Sequence, residues 1–314
     1  MACTALSRSE RVVVGVVDRP IGTEREIPVH TRIDWLQEIH PKAEILLMPQ
    51  PEWLANEDSP GWAKWTKAIV GKPDAVFTSE GYGARWAKHL GCAHVAVDYD
   101  RTKFPISGTM IRENPYRYWE WMHPIVRAWF VKRVVLLGTD STGKTTLSRA
   151  LAKQYKTVNV PEYGRIFYEG FSEISDAPEK WVPEDLVHIA KIQSETEDWM
   201  RRKSGPIMIC DTDAFATQLW NWRYYKKFSP EIEDLIKPAD LYVVCGTDIP
   251  FKQDRYRLDD QKDRVAHQNK TVTELMERNY SAIGVIGSLE NRIVNATERI
   301  ERLFLADPGI PKTA

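Results

Sequence analysis

The chain has 314 residues, of which 43% are hydrophobic and 28% are charged. This length suits two domains of ordinary size, and the composition excludes an intrinsically disordered chain. Lys and Arg number 43 against 44 for Asp and Glu, so the net charge of −1 gives no global attraction for nucleic acid. The four cysteines are far apart and no apolar run reaches the roughly 18 residues of a membrane helix. We therefore expect a cytoplasmic protein that binds neither nucleic acid nor membrane.

Short apolar runs alternate with longer helical patterns along most of the chain. Strands are predicted at 11–18, 44–48, 74–79, 93–97, 133–138, 206–211 and 240–245. Helices are predicted between them at 31–39, 62–70, 84–90, 144–154, 184–203 and 214–225. Near-continuous Val, Ile and Leu runs are typical of parallel strands buried on both faces. The sequence therefore predicts an α/β protein with two doubly wound parallel-sheet domains.

A domain boundary is predicted near Val131. The segment 114–130 is aromatic-rich and helical in character, and a new strand opens at Arg133. The last residues contain two prolines and a glycine but no core pattern. We expect domains at 1–131 and 132–305, followed by a flexible tail at 306–314.

The strongest motif is a G-x-x-x-x-G-K-T segment that follows the strand 134–137 and opens a helix. Its glycines let backbone N–H groups converge on phosphates, and the helix N-terminus adds partial positive charge. We expect Lys144 to bridge the β- and γ-phosphates of ATP and Thr145 to contact Mg²⁺. The residues predicted to bind ATP are Gly138, Asp140, Ser141, Thr142, Gly143, Lys144, Thr145, Thr146 and, from a later segment, Arg264.

Two aspartates end the apolar strand at 206–211. Asp211 suits a Mg²⁺ contact beside a phosphate loop and is predicted to be catalytic. Asp213 is predicted to bind substrate. Either residue is alternatively the N-cap of the next helix, and Asp213 is the better placed for that role.

A second polar segment, 162–165, joins a carboxylate, an aromatic ring and an arginine. Glu162 is predicted as the catalytic base that orients an acceptor hydroxyl, while Tyr163 and Arg165 help to hold the substrate. The alternative is a surface turn with an incidental ion pair.

The charged segment 250–264 is predicted to form a lid. Arg257 and Arg264 would reach the developing negative charge of a transferring phosphoryl group. The alternative is a solvated run of charges. Since the chain has no N-K-x-D guanine motif, a small-molecule kinase is favoured over a GTPase.

The front half carries an anion-binding pattern of its own. Ser107, Thr109 and Arg112 lie at the start of a predicted helix, where hydroxyls, backbone N–H groups and a guanidinium form a cradle. This I-S-x-T-x-x-R segment resembles the triphosphate-binding signature of adenylyltransferases of the nicotinamide mononucleotide type.

With both nucleotide motifs present in this order, the chain resembles the bifunctional NadR-type family from about residue 2 to about residue 305. The resemblance implies a nicotinamide mononucleotide adenylyltransferase domain followed by a ribosylnicotinamide kinase domain. It implies ATP and Mg²⁺ as cofactors, nicotinamide riboside and nicotinamide mononucleotide as substrates, and a role in NAD biosynthesis; homo-oligomerisation stays open. The family's lid reads D-G-x-R, where this chain has Asp254-Arg255-Tyr256-Arg257.

Family members begin with a strand that leads to a G-x-F-x-P-x-H-x-G-H motif; the motif does not occur in the sequence, and we expect the first strand of the Rossmann-like half to be missing with it. We expect either a start at an internal methionine of a longer reading frame or a degenerate front half, and in both cases an impaired adenylyltransferase. Two alternatives come from other classes of protein. One is a nucleotide-sensing regulator, and the other is a P-loop ATPase whose front domain binds a ligand or partner.

Overall fold

The fold is seen in a computed structural model, which describes residues 1–18, 27–56, 58–172, 182–250 and 261–304. The chain forms two compact units, Met1–Tyr118 and Trp119–Ala314. This division falls within the aromatic segment 114–130, which the sequence analysis assigned to the first domain. No helix among the described residues is both long and apolar enough to cross a membrane.

The front unit alternates strands and helices. Its elements are α1 (Ala2–Leu6), β1 (Val13–Asp18), α2 (Val29–Ile39), β2 (Glu44–Pro49), α3 (Ser59–Val70), β3 (Ala75–Thr78), α4 (Gly83–Leu90), β4 (Ala93–Ala96) and α5 (Gly108–Glu113). The strands are parallel, as predicted. Those described form two separate pairs, with Val13 of β1 opposite Glu44 of β2 and Ala75 of β3 opposite Ala93 of β4.

Local sequence explains where the helices of this unit begin and end. Asp58 accepts a hydrogen bond of 2.9 Å from the Gly61 amide and so caps α3. Gly91 ends α4 with a φ of +70°, a left-handed conformation that favours glycine. The two helices pack on β3 through a small core of Ala63, Val76, Ala87 and Leu90.

The second unit is a five-stranded parallel sheet with helices around it. It contains a 3₁₀ turn (Trp119–Trp121), α6 (Pro124–Phe130), β5 (Lys132–Leu137), α7 (Lys144–Gln154), β6 (Asn159–Val160), α8 (Tyr163–Ser172), α9 (Pro183–Arg201), β7 (Ile207–Asp211), α10 (Ala214–Tyr225), α11 (Pro230–Glu233), β8 (Leu241–Cys245), α12 (Gln261–Glu277), β9 (Ala282–Val285) and α13 (Leu289–Phe304). The strand order is β6-β7-β5-β8-β9.

The centre of this sheet is buried on both faces, as the unbroken apolar runs predict. Alternate residues of β5, β7 and β8 pack with α7 and α13 in one core of Val134, Leu136, Leu147, Leu151, Ile207, Ile209, Leu241, Val243, Ala296 and Ile300. Because side chains of a strand alternate between faces, Tyr242 lies on the opposite face of the sheet from this core. Its ring contacts that of Phe215 of α10, with the ring centroids 5.5 Å apart. Rigid strands thus fix the segments that follow them.

Candidate active site

The candidate site lies at the edge of the sheet where its parallel strands end. β5 leads into Gly138, β6 ends two residues before Glu162, and β7 ends at Asp211. These three strands are neighbours in the sheet, so the segments after them are adjacent. In open α/β sheets this carboxyl edge is where ligands bind.

Two glycines shape the loop between β5 and α7. A Cβ atom on Gly138 would lie 2.8 Å from the Cys245 carbonyl oxygen and 2.9 Å from Thr142 Oγ1, which is too close for carbon. Gly143 has a φ of +83° and directly precedes α7. The glycines of the motif are therefore required by close packing against β8 and by backbone conformation.

The carbonyl group of Thr139 is held by two donors from the same loop. Lys144 Nζ donates to it at 3.0 Å, and Thr142 Oγ1 donates at 2.8 Å. Lys144 is only 8% exposed although it carries a charge. This lysine belongs to the first turn of α7, where its ammonium group faces the loop.

Two buried arginines from distant helices hold the next carbonyl groups of the loop. Arg264 of α12 donates from Nε to the Asp140 oxygen at 3.2 Å, and Arg292 of α13 donates from Nη1 to the Thr142 oxygen at 2.7 Å. In a trans peptide the next N–H points away from the C=O. The amides after these carbonyls therefore point away from the arginines, an arrangement suited to an anion.

Asp211 provides a buried carboxylate at the end of β7. Its side chain is 2% exposed, and Oδ1 has no hydrogen-bond partner among the described residues. A buried carboxylate oxygen without a donor is costly unless something binds it. This orphaned oxygen beside a phosphate loop fits a cation that arrives with the phosphates.

Glu162 is half-buried and lies within electrostatic reach of the same groups. Burial raises the pKa of its carboxyl group, the charge of Lys144 opposes that rise, and Asp211 and Asp140 add to it. A carboxyl group with a raised pKa is better matched to proton transfer near neutral pH. The structure thus brings together Glu162, Lys144 and Asp211.

The donor set also fits Mg²⁺, which is commonly held by one or two protein oxygens together with substrate phosphates and water. Asp211 and the hydroxyl of Thr145, in the first turn of α7, are the predicted ligands. Among the described residues no group of three His, Cys, Asp or Glu side chains stands ready for a metal ion. The phosphates of a bound nucleotide would have to supply the remaining ligands.

Tyr163 and Arg165 lie on α8 next to Glu162. The Tyr163 amide donates to Gln193 Oε1 at 2.9 Å, and its ring contacts His188 with centroids 6.0 Å apart. Arg165 forms an ion pair of 3.5 Å with Glu169 on the exposed side of the helix. Both residues are near the site, and their predicted substrate contacts stay a prediction.

Asp213 has other partners in the structure. Its Oδ1 accepts from the Ala216 amide at 3.0 Å, which makes it the N-cap of α10. Its Oδ2 accepts from the Tyr242 hydroxyl at 3.2 Å and lies 3.5 Å from Arg133, whose guanidinium also pairs with Glu197 at 2.5 Å. The carboxylate is thus engaged within a buried polar cluster, and the structure gives no support to its predicted contact with substrate.

Some of the remaining predicted site residues lie in the described part of the chain, and others do not. Arg264 reaches the phosphate loop, Thr146 is exposed on α7, and Ser141 has a φ of +57° within the loop. Arg257 and most of the predicted lid lie outside the described residues.

His267 is a site neighbour that sequence reasoning missed. It lies on α12, is 4% exposed, and stacks on Trp220 with ring centroids 4.6 Å apart. Burial, with the charges of Arg223, Lys144 and Lys226, lowers the pKa of His267 to about 3. Its Nδ1 has no hydrogen-bond partner among the described residues. A single histidine in a polar helix carries no sequence signal for this position.

In the front unit the three predicted anion-binding residues are close together. Ser107 Oγ accepts from the Met110 amide at 3.1 Å and caps α5. Arg112 Nη2 donates to Thr109 Oγ1 at 3.2 Å. The segment therefore forms a capped helix start with its guanidinium held over the first turn.

The family model described as an AAA domain matches residues 133–292, which is about half of the chain. The chain belongs to the AAA domain family. The matched span runs from β5 to α13 and so includes the phosphate loop, both carboxylates and both arginines.

Curated relatives of this AAA-domain chain carry the name trifunctional NAD biosynthesis/regulator protein NadR. The protein from Salmonella typhimurium is 31% identical over 256 residues, covering 78% of this chain and 62% of its own length. The Escherichia coli protein is 33% identical over 236 residues, covering 72% of this chain and 57% of its own. The chain thus spans about three fifths of these relatives. The predicted resemblance to NadR-type proteins is confirmed.

Solved NadR structures share the fold of this AAA-domain chain. A NadR protein in complex with NAD and AMP-PNP matches with a TM-score of 0.75 and 19% identity, covering 96% of this chain and 90% of that one. A NadR protein in complex with NR matches with a TM-score of 0.76 and 20% identity, covering 98% and 91%. The predicted α/β fold class is confirmed.

Proposed function

We propose that the second unit transfers the γ-phosphoryl group of ATP to a hydroxyl group of nicotinamide riboside, forming nicotinamide mononucleotide and ADP. The observation that carries this proposal is the carboxyl group of Glu162, with its raised pKa, beside Lys144 and Asp211 at a complete phosphate loop. A carboxyl group with a raised pKa suits proton transfer from an acceptor hydroxyl. The acceptor is suggested by the NadR relatives and by the NadR structure with NR.

The reaction assigns one task to each group. Glu162 accepts the proton of the acceptor hydroxyl, whose oxygen attacks the γ-phosphorus. The bond between that phosphorus and the β–γ bridging oxygen breaks, and ADP leaves with the electron pair. Lys144 and the loop amides stabilise the charge on the transferring oxygens. Thr145 and Asp211 would hold Mg²⁺, which supplies charge neutralisation when bound with ATP.

A cavity beside the phosphate loop is suited to the base of ATP. Its volume is about 590 Å³, and its lining consists of Asp248, Ile286, Gly287, Asn291, Val294 and Asn295. Amide side chains offer both donors and acceptors for the polar edge of a base, and the aliphatic side chains offer a surface for its face. We infer that the base lies here while the phosphates occupy the loop.

The decisive assay measures ADP production with nicotinamide riboside, with other nucleosides and without an acceptor. The proposal predicts ADP formation that depends on nicotinamide riboside. Equal turnover without an acceptor would instead identify an ATPase, and nucleotide binding without turnover would identify a sensor. Where a substituted chain is assayed in this way, Arg302→Lys, at an exposed position of α13, is the control variant and should keep native activity.

The front unit carries a second candidate activity, adenylyl transfer from ATP to nicotinamide mononucleotide. The observation in its favour is the cradle formed by Ser107, Thr109 and Arg112. We expect this activity to be weak in residues 1–314, because the sequence lacks G-x-F-x-P-x-H-x-G-H and one missing preorganised donor costs about 10²–10³ in rate. Rapid NAD formation from nicotinamide mononucleotide and ATP would contradict this expectation.

A further inference from the structure

Arg292 joins the cavity to the phosphate loop through a fully buried guanidinium. The residue is 1% exposed, although it lies on the surface helix α13. Its Nη1 donates to the Thr142 oxygen of the phosphate loop at 2.7 Å. Its Nε donates to the Gly287 oxygen at 3.0 Å, and its Nη2 lies 2.6 Å from Asp248 Oδ1. One planar group therefore has contacts with three separate segments.

Two of those contacts belong to the wall of the cavity. Asp248 and Gly287 both line it, and they are also joined directly because Asp248 Oδ2 accepts from the Gly287 amide at 2.7 Å. Burial acts to raise the pKa of Asp248, but the hydrogen bond from Gly287 and the charge of Arg292 lower it overall. The carboxylate is thus ionised at neutral pH and holds the guanidinium in place.

The third contact belongs to the phosphate loop, directly before a glycine with a left-handed backbone conformation. Gly143 follows Thr142 and has a φ of +83°. A Cβ atom there would lie 3.2 Å from Ile249 Cδ1 and 4.0 Å from Arg292 Nη1. Because the Thr142 carbonyl and the Gly143 N–H share one peptide plane, a shift of Arg292 would rotate that amide.

We propose that Arg292 is a positioning residue that couples the occupancy of the cavity to the conformation of the phosphate loop. This inference rests on the proposed function only in taking the cavity as the site of the base. A base that contacts Asp248 and Gly287 orders the groups that hold Arg292, and Arg292 in turn holds the Thr142–Gly143 peptide ready for phosphate. Adenine in the cavity therefore tightens the binding of a separate polyphosphate, and polyphosphates without a base are held less well.

The test measures this coupling directly by calorimetry, with the full chain and without any acceptor. The affinity for inorganic pyrophosphate with Mg²⁺ is determined in the absence and in the presence of saturating adenine. In the native chain we expect adenine to tighten pyrophosphate binding about fivefold or more, the lower end of measured couplings between sites. Arg292→Lys keeps the positive charge but loses the planar guanidinium group that bonds three segments at once. In this variant adenine should change the affinity for pyrophosphate less than twofold.

Two further variants protect the conclusion from a folding defect. Asp248→Asn keeps the side-chain shape at a position that is 37% exposed, and it should reduce the coupling in the same direction. Arg302→Lys, exposed on the same helix, should leave the coupling intact. Native coupling that persists in a folded Arg292→Lys or Asp248→Asn chain, or that is absent from the native chain, would overturn the proposal. Coupling without phosphorylation of nicotinamide riboside would leave it standing and reject the proposed function instead.

Discussion

Replacing Lys144 with alanine separates catalysis from stability at the phosphate loop. In the folded chain this side chain donates one hydrogen bond of 3.0 Å to the Thr139 carbonyl. Loss of one such bond costs about 1–2 kcal/mol of unfolding free energy, a shift of a few degrees in melting temperature. During phosphoryl transfer the same ammonium group stabilises developing charge, and loss of one preorganised donor lowers kcat by about 10²–10³, or roughly 3–4 kcal/mol. Activity should therefore fall far more than stability.

The Lys144→Ala variant also changes the pH dependence of the remaining activity. Lys144 is the main influence that opposes the raised pKa of Glu162, so its removal raises that pKa further. Because a base must be deprotonated, the acidic limb of the kcat profile should move to higher pH. Steady-state assays of ADP formation between pH 5 and 9, with thermal melts, check both effects. Lys153→Ala, exposed on the same helix, is the control. Activity within tenfold of native in a folded Lys144→Ala chain would refute the assignment.

Three more variants probe other parts of the site. Glu162→Gln should lower kcat by about 10²–10⁴ while ATP affinity by calorimetry stays within threefold, and a kcat close to native would remove the base role. Arg264→Ala removes the donor to the Asp140 oxygen and should lower kcat by about 10–100-fold; a changed KM with unchanged kcat would count against its role in the transition state. The pKa of His267 is about 3 in the folded chain and 6.5 for a free histidine. The contribution of the neutral ring to the unfolding free energy is therefore complete above pH 6.5 and is lost as the pH falls toward 3. Between pH 6.5 and 4.5 the native chain should lose about 2 kcal/mol more unfolding free energy than His267→Gln, and equal losses in denaturant titrations would contradict this.

Local sequence was enough to predict the strands that are buried on both faces and the phosphate loop. All seven predicted strands are present, and the three central ones, β5, β7 and β8, are the unbroken apolar runs that are buried on both faces. Two described strands, β6 and β9, were not predicted, and both lie at the edges of the sheet. β6 has only two residues and β9 is half-exposed, so neither has a long apolar run that would predict a strand. The parallel pairs of the front unit were predicted as strands, but their separation into two sheets depends on contacts that periodicity does not encode.

The site was predictable where a residue's role follows from its neighbours in the sequence. Gly138, Lys144 and Asp211 belong to motifs with a fixed relation to a strand end. Arg292 and His267 were not predictable, because their partners lie far away in the sequence; Arg292 contacts the loop across 150 positions. For Asp213 the capping role was open beforehand, and its buried ion-pair cluster became visible only with the tertiary structure.

The fate of the γ-phosphoryl group distinguishes phosphorylation of nicotinamide riboside from hydrolysis of ATP. The chain is incubated with ATP labelled at the γ-phosphate and with nicotinamide riboside, and the products are separated by chromatography. We predict that the label appears in nicotinamide mononucleotide, in equal amount to the ADP formed, and that Lys144→Ala lowers this transfer at least a hundredfold. Label found mainly in inorganic phosphate, or label transfer that survives in Lys144→Ala, would contradict it.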